Sequence, residues 1–268
     1  VSSYLDTHIN LAVRDGYGAL VARLATGLPI RLDTAARRVA VTGSGVEVET
    51  DAGTLRAAAC IVAVPARMME RERIAFAPGL PPAVQDAFSN VPMGHCEKVA
   101  VAFDAPVLSE LGVGYADVLE DKAAGLPPFN IEVHPFGRPI IVAHMGGSAV
   151  AEMTPEDRLD LFGRVVTRAF GADVSRRITH RTTTSWTADP FINGAYSCAK
   201  PGQAHLRAVF DEPVHDRVFL AGEHVHRYFH ATAHGAYETG LAAAARAARL
   251  LGRPVLADEP EWLPPNHL

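Results

Sequence analysis

Apolar and polar positions change their period along the chain, and those changes outline its elements. Asp15-Gly16-Tyr17-Gly18 is a turn signal, and residues 19–28 carry apolar side chains at helical spacing. Three strand-like runs follow at 29–32, 38–42 and 45–50, and the Asp51-Ala52-Gly53 turn opens one apolar stretch, 55–64, that stops at Pro65. The pattern predicts a small antiparallel unit feeding a buried strand, then a Pro- and Gly-rich connector over 74–82. Strand alternation returns at 97–103, 129–134 and 139–144, and again at 178–186, where Thr182, Thr184 and Trp186 fall on one face. Between them Thr154-Pro155-Glu156-Asp157 reads as a helix start, with Thr at the N-cap, Pro at the first helical position and acids near the positive end. That helix is expected to reach about residue 170 and stop at Gly171. A short buried strand is expected at 218–221. The Ala-rich run 234–251, closed by Gly252, is the strongest helix of the chain. The Pro-rich tail 253–268 reads as an extended strap.

Composition narrows the class. The 268 residues are 48% hydrophobic and 21% charged, with net charge −5, enough apolar content to bury a core and too little charge for disorder. Mild acidity argues against nucleic-acid binding, which calls for a basic excess. Cys60, Cys96 and Cys198 stand far apart without a C-x-x-C pair, so neither a disulfide framework nor a zinc-thiolate site is expected. No apolar run is long enough to span a bilayer and no secretory signal opens the chain, which predicts a cytoplasmic location without membrane contact.

Three segments carry chemistry. The first is Trp186-Thr187-Ala188-Asp189-Pro190-Phe191-Ile192-Asn193-Gly194-Ala195-Tyr196-Ser197. The second is Arg217-Val218-Phe219-Leu220-Ala221-Gly222-Glu223-His224. The third, Ala231-Thr232-Ala233-His234-Gly235-Ala236-Tyr237-Glu238-Thr239-Gly240, opens the long helix. A strand, a glycine and a second turn leading into a helix present free backbone N–H groups to a ligand, and a helix N-terminus favours negative charge.

In this order the segments resemble the C-terminal half of the flavin-containing amine oxidases, and Asp15-Gly16-Tyr17, Ile61-Val62-Ala63-Val64-Pro65 and Lys98 agree with that family upstream. The resemblance implies an α/β fold in two interleaved lobes. A FAD-binding lobe would comprise 13–68 and 186–252, and a mixed-sheet substrate lobe 69–185. It implies cofactor contacts at Ala36, Val64, Trp186, Tyr196, Gly222, Glu223, Thr232, Ala233 and Ala236. Thr232 and Ala233 would meet the flavin pyrimidine end, and Glu223 the ribityl–pyrophosphate region. Tyr196 matches the aromatic residue beside the reactive face of the flavin, and with Thr232 would border the substrate. Thr232 stands where monoamine oxidases carry a second ring. Lys98 matches the lysine that holds a water near flavin N5 and assists reaction with oxygen; with Tyr196 and Trp186 it completes the expected catalytic set. Ala195 stands where monoamine oxidases have the flavin-linking cysteine, so the FAD is expected to be non-covalent.

The implied activity is oxidation of an amine or amino acid: hydride passes from the amine-bearing carbon to flavin N5, the imine hydrolyses, and oxygen becomes hydrogen peroxide. Two other readings stay open, a flavin dehydrogenase or desaturase that does not use oxygen and a non-catalytic subunit of the same fold. The rival reading of His224, His226, His230 and His234 as a metal site lacks an acidic or Cys partner at fixed spacing, so no metal is expected. His226 and His230 are expected to line the substrate channel. The family's N-terminal G-x-G-x-x-G unit has no counterpart here: Gly16-Tyr17-Gly18 lacks the third glycine and Gly43-Ser44-Gly45 precedes a strand. The expectation is a complementary chain carrying that half, in an assembly of higher order.

Overall fold

The computed structural model describes residues 12–109, 115–121 and 126–255. They divide into two units. One comprises Ala25–Met93 and the chain from Tyr196 onward; the other comprises Gly94–Ala195 with the segment holding helix α1 (Tyr17–Leu24). The helix ends earlier than the pattern predicts, as Gly27 turns the chain at φ +80°. No strand forms at 29–32; Ile30 and Leu32 are exposed and no neighbouring strand pairs with them.

In the first unit β1 (Ala36–Val41), β2 (Val46–Thr50) and β3 (Gly53–Ala57) form an antiparallel meander. The stretch expected as one strand over 55–64 is two, because β3 pairs with β2 while β4 (Cys60–Val62) changes partner after Ala58-Ala59. Helix α2 (Ala66–Glu70) follows. The expected connector then contains β5 (Ala75–Ala77), which pairs parallel to β1, and reaches the start of α3 (Pro82–Asn90), with Pro at the first helical position. These pairings carry the unit past the expected lobe boundary at 68.

The second unit is a five-stranded antiparallel sheet backed by one long helix. β6 (Cys96–Phe103), β7 (Tyr115–Asp121), β8 (Leu126–Val133) and β9 (Ile140–Gly146) precede α4 (Ser148–Glu152), α5 (Pro155–Phe170), α6 (Ala172–Ser175) and β10 (Ile178–Thr183); the strand order is β10-β6-β9-β8-β7. Helix α5 starts as its sequence dictates. The Thr154 side chain accepts from the Asp157 N–H, the Asp157 carboxylate accepts from the Thr154 N–H, and Gly171 ends the helix at φ +91°. Alternation along β6 is strict: Val99, Val101 and Phe103 join Ile131, Ile141, Ala143 and Phe162 in the core, while Lys98, Ala100 and Ala102 face the other way. The predicted strand 178–186 ends at Thr183, and the reason lies in the site described below.

Back in the first unit, β11 (Val218–Leu220) pairs parallel with β4. Helix α7 (Ala233–Leu250) packs on that pair through Ala243 and Ala247 against Phe219, Ala221 and Ala59. It closes as a Schellman turn: the N–H groups of Arg253 and Gly252 reach the carbonyls of Ala248 and Arg249, with Gly252 at φ +61°. The tail from 256 lies outside the described residues.

Candidate functional site

The residues expected at the cofactor fall in both units. Ala36, Val64, Tyr196, Gly222, Glu223, Thr232, Ala233 and Ala236 belong to the first; Lys98 and Trp186 belong to the second. Ala36 opens β1, and Val64 follows β4 and packs on the first unit's core.

In the first unit the turn between β11 and α7 is built around Glu223. Its Oε1 accepts from the Ser197 N–H at 2.8 Å, and its Oε2 from the Ser197 hydroxyl at 2.7 Å and the Ala231 N–H at 2.7 Å. The carboxylate expected to face a ribityl chain thus fastens Tyr196-Ser197 to the entry of α7. Arg207, fully buried, donates through Nη1 to Ser197 Oγ (2.9 Å) and to the His224 carbonyl (2.6 Å). Its Nε and Nη2 are buried without an acceptor among the described residues. Burial pushes its guanidinium down from the ordinary value against the pull of Glu223. At Gly222, φ +126° and a ring of His224 that an added Cβ would meet at 2.8 Å both demand glycine. Its N–H donates to the Thr239 hydroxyl at 2.9 Å, tying the turn to α7.

The helix mouth is open. Thr232 is the N-cap; its hydroxyl donates to the Phe229 carbonyl and accepts from the Gly235 N–H. The N–H groups of Ala233 and His234 donate to no acceptor among the described residues, and both residues are exposed. Gly235 lets the helix start against the Phe229 carbonyl, which an added Cβ would meet at 2.0 Å. Tyr196 is exposed beside Ser197.

The histidines divide. His226 is a structural post rather than a channel residue. Its Nδ1 accepts from the N–H groups of Tyr228 (3.1 Å) and Phe229 (2.9 Å), so Nε2 carries the proton and donates to Glu238 at 2.8 Å. His224 lies among Phe88, Phe210 and the Gly222 turn, and burial pushes it down to about 4, against the pull of Glu223. Among the described residues no three His, Cys, Asp or Glu side chains are placed to hold a metal ion.

In the second unit Glu97, pointing into the core side of β6, ends the β10 strand. Its fully buried carboxylate accepts from the Thr184 hydroxyl (2.5 Å) and from the N–H groups of Trp186 (3.1 Å) and Thr187 (2.8 Å). The chain curls around it after Thr183, so Thr184 and Trp186 do not continue the strand face. Burial raises the carboxyl, but these donors outweigh it and hold Glu97 below the usual carboxylate value. The curl sets the Trp186 ring 5.9 Å from the Lys98 amine. The signal for Glu97 was present in the sequence as an acid at a core position of an alternating strand. Ser197 closes the first of the three segments that signalled chemistry, whereas Arg207 gave no signal.

The first unit thus carries an open helix mouth after a parallel strand pair, and the second an antiparallel sheet with a lysine on its coreless face. Comparison with known proteins gives the family. Residues 2–248 match the flavin containing amine oxidoreductase family, and the chain belongs to it. It is 31% identical to polyamine oxidase 4 of Oryza sativa subsp. japonica, over 86% of this chain and 47% of that protein. It is 27% identical to lysine-specific histone demethylase 2 of Homo sapiens, over 87% of this chain and 30% of that protein. Putrescine oxidase bound to putrescine shares the fold at TM-score 0.73 and 20% identity, covering 89% of this chain and 53% of that one. Cyclohexylamine oxidase from Brevibacterium oxydans does so at 0.68 and 24%, over 81% and 48%. The chain spans about half the length of the polyamine oxidase it matches. The family is one of flavin enzymes, and the mixed α/β fold is the one its members share. Among the described residues no helix is long and apolar enough to cross a membrane.

Proposed function

We propose that this chain forms part of an FAD-dependent oxidase of amines or amino acids. The observation that carries the reading is the open mouth of α7, where the Ala233 and His234 amides face outward while Glu223, Ser197 and Thr232 fasten the loops around it. Thr232, Ala233 and Ala236 would hold the pyrimidine end of a flavin there, with Tyr196 bordering it. A flavin supplies the two-electron acceptor for the hydride on the amine-bearing carbon. Polyamine oxidase and putrescine oxidase, by their names, act on amines, and the same class of donor is proposed for this chain.

Lys98 places a cation on the open side of its sheet, where it favours reduction of oxygen to hydrogen peroxide. Trp186 holds its amine by cation–π contact. Ala195 offers no thiol for a flavin link, which supports non-covalent FAD. The 268 residues contain no G-x-G-x-x-G leading from a strand into a helix, so we infer that a dinucleotide-binding unit outside these residues completes the cofactor site.

Purification of the chain with its native partners tests this. The expected result is a yellow complex absorbing at ~450 nm that releases peroxide with amines. A colourless complex defeats the oxidase reading. A reduced flavin without peroxide selects a dehydrogenase.

A further inference from the structure

The sheet of the second unit ends on β10, and among the described residues no strand pairs with the outer edge of β10. The Thr184 N–H donates to the Lys98 carbonyl at 2.9 Å, and the antiparallel register runs back through Thr183 with Val99 and Thr182 with Ala100. Ladder bonds alternate along such a strand. Thr182 and Thr184 therefore turn toward β6, while the N–H and C=O groups of Arg181 and Thr183 turn outward. Residues 179–182 are exposed. Arg181 also lines an open groove of about 800 Å³ between β10 and the flank of α5. Across from it Asp160, Gly163, Arg164 and Arg168 form one stripe of the helix. Gly163 leaves the floor bare, and the Arg181 guanidinium lies over it, 3.6 Å from where a Cβ would stand.

The groove is cationic in a chain whose net charge is −5. Three arginines line it against one acid, Asp160, which stands 3.6 Å from Arg181 with both side chains exposed to water, so the pair is weak. Arg164 and Arg168 are one helical turn apart, about 6 Å. Alternate side chains of a strand laid beside β10 would be about 6.8 Å apart. An edge short of backbone partners and a row of cations short of acids point to one occupant. We propose that the α5–β10 groove docks an extended acidic segment of a partner protein, added as a further strand beside β10 with its acids against Arg164, Arg168 and Arg181. A phosphate would satisfy the arginines and leave the Arg181 and Thr183 amides unpaired. The surface lies wholly within the second unit and is independent of the flavin reading.

The test uses the full chain and a fluorescein-labelled peptide of alternating Glu and Val. Fluorescence anisotropy is expected to show saturable binding that weakens as salt is added. Arg164→Glu combined with Arg168→Glu is expected to weaken it about tenfold. Gly163→Leu, which fills the groove floor without changing charge and suits a helix, is expected to weaken it as well. Hydrogen exchange reads the edge itself. With peptide bound, the Arg181 and Thr183 amides are expected to gain protection, while Thr182, already turned to β6, stays as it was. No binding of the peptide, or binding that survives the charge reversal, overturns the docking site. Equal binding of the same peptide with an N-methylated backbone, or Arg181 and Thr183 amides that stay unprotected, overturns strand addition. Inorganic tripolyphosphate that binds where the peptide does not would make the groove an anion site and overturn the proposal.

Discussion

Glu97 and Lys98 are adjacent in sequence, opposite in charge and on opposite faces of one strand, and the fold treats them in opposite ways. Glu97 is fully buried with three donors closed around it, and it organises the loop that bears Trp186. Lys98 lies on the coreless face with the Trp186 ring against its amine. A charge taken into the core must be compensated by the protein itself; a charge on the open side is left for whatever binds there. Glu223 in the first unit stands between these cases. It too accepts three hydrogen bonds from the loop it organises, but it is only half-buried and has Arg207 behind Ser197.

The largest test of that contrast is Glu97→Ala. Removing the carboxylate strands two backbone N–H groups and a hydroxyl in the interior. The expected loss is about 3–5 kcal/mol in urea unfolding, the range for breaking a buried charged network. Glu223→Ala is expected to cost about half as much, since Glu223 itself is only half-buried. Equal losses would erase the distinction between the two acids. The pH sign follows from the Glu97 carboxyl, held below its unfolded value. Its contribution is complete above the unfolded value and disappears as pH falls through the folded one.

His224 gives an acid effect in a different window. Its folded value is about 4 against 6.5 unfolded. The unfolded chain takes up the proton first, so stability falls as pH drops from 6.5 to about 4 and then levels off. The loss across that window is about 3 kcal/mol. His224→Phe, which suits the aromatic neighbours Phe88 and Phe210, is expected to flatten the slope above pH ~4.5 and leave the Glu97 limb below it. A slope unchanged by the substitution would locate the titration elsewhere.

Elements announced by strong local chemistry were legible before any coordinates. The Thr154–Asp157 capping box, the Ala-rich α7 with Gly252 and the alternation of 97–103 all signal through neighbours in sequence, and all three form. Short elements that depend on a distant partner were not. α2 spans barely more than one helical turn, and β5 exists through its pairing with β1. The end of β10 at Thr183 was hidden for the same reason, because the acid that terminates it lies on another strand. For the site, the ordered motifs around Trp186, Glu223 and Thr232 indicated where chemistry gathers. They did not indicate that Glu223 would bind the protein's own amides, or that His144 would stand beside Lys98. Both are facts of register, which local patterns do not encode.

Between the closed and open cases lies Ser197→Ala. It removes the hydroxyl that accepts from Arg207 and donates to Glu223. The buried guanidinium loses one of its two partners, so the expected cost is about 1–3 kcal/mol. Tyr196, one residue earlier, is expected to gain backbone mobility on NMR timescales. Unchanged order there would show that Glu223 alone holds the loop.

The smallest stability effect belongs to Lys98. Lys98→Met removes only a cation–π contact on a half-buried face, and unfolding is expected to shift by about 1 kcal/mol or less. The informative readout is its neighbour. Among the described residues the charged groups on the same side of the sheet near His144 are Lys98 on β6 and, one step along β8, Glu132. Burial is the first cause of the depressed His144 value and the Lys98 charge the second. Lys98→Met is therefore expected to raise the His144 pKa without restoring its ordinary value, because the burial remains. NMR titration of the ring measures this directly. A fall, or no change, would mean that the two side chains do not share a face and would remove the ground on which the open side of the sheet was contrasted with its core.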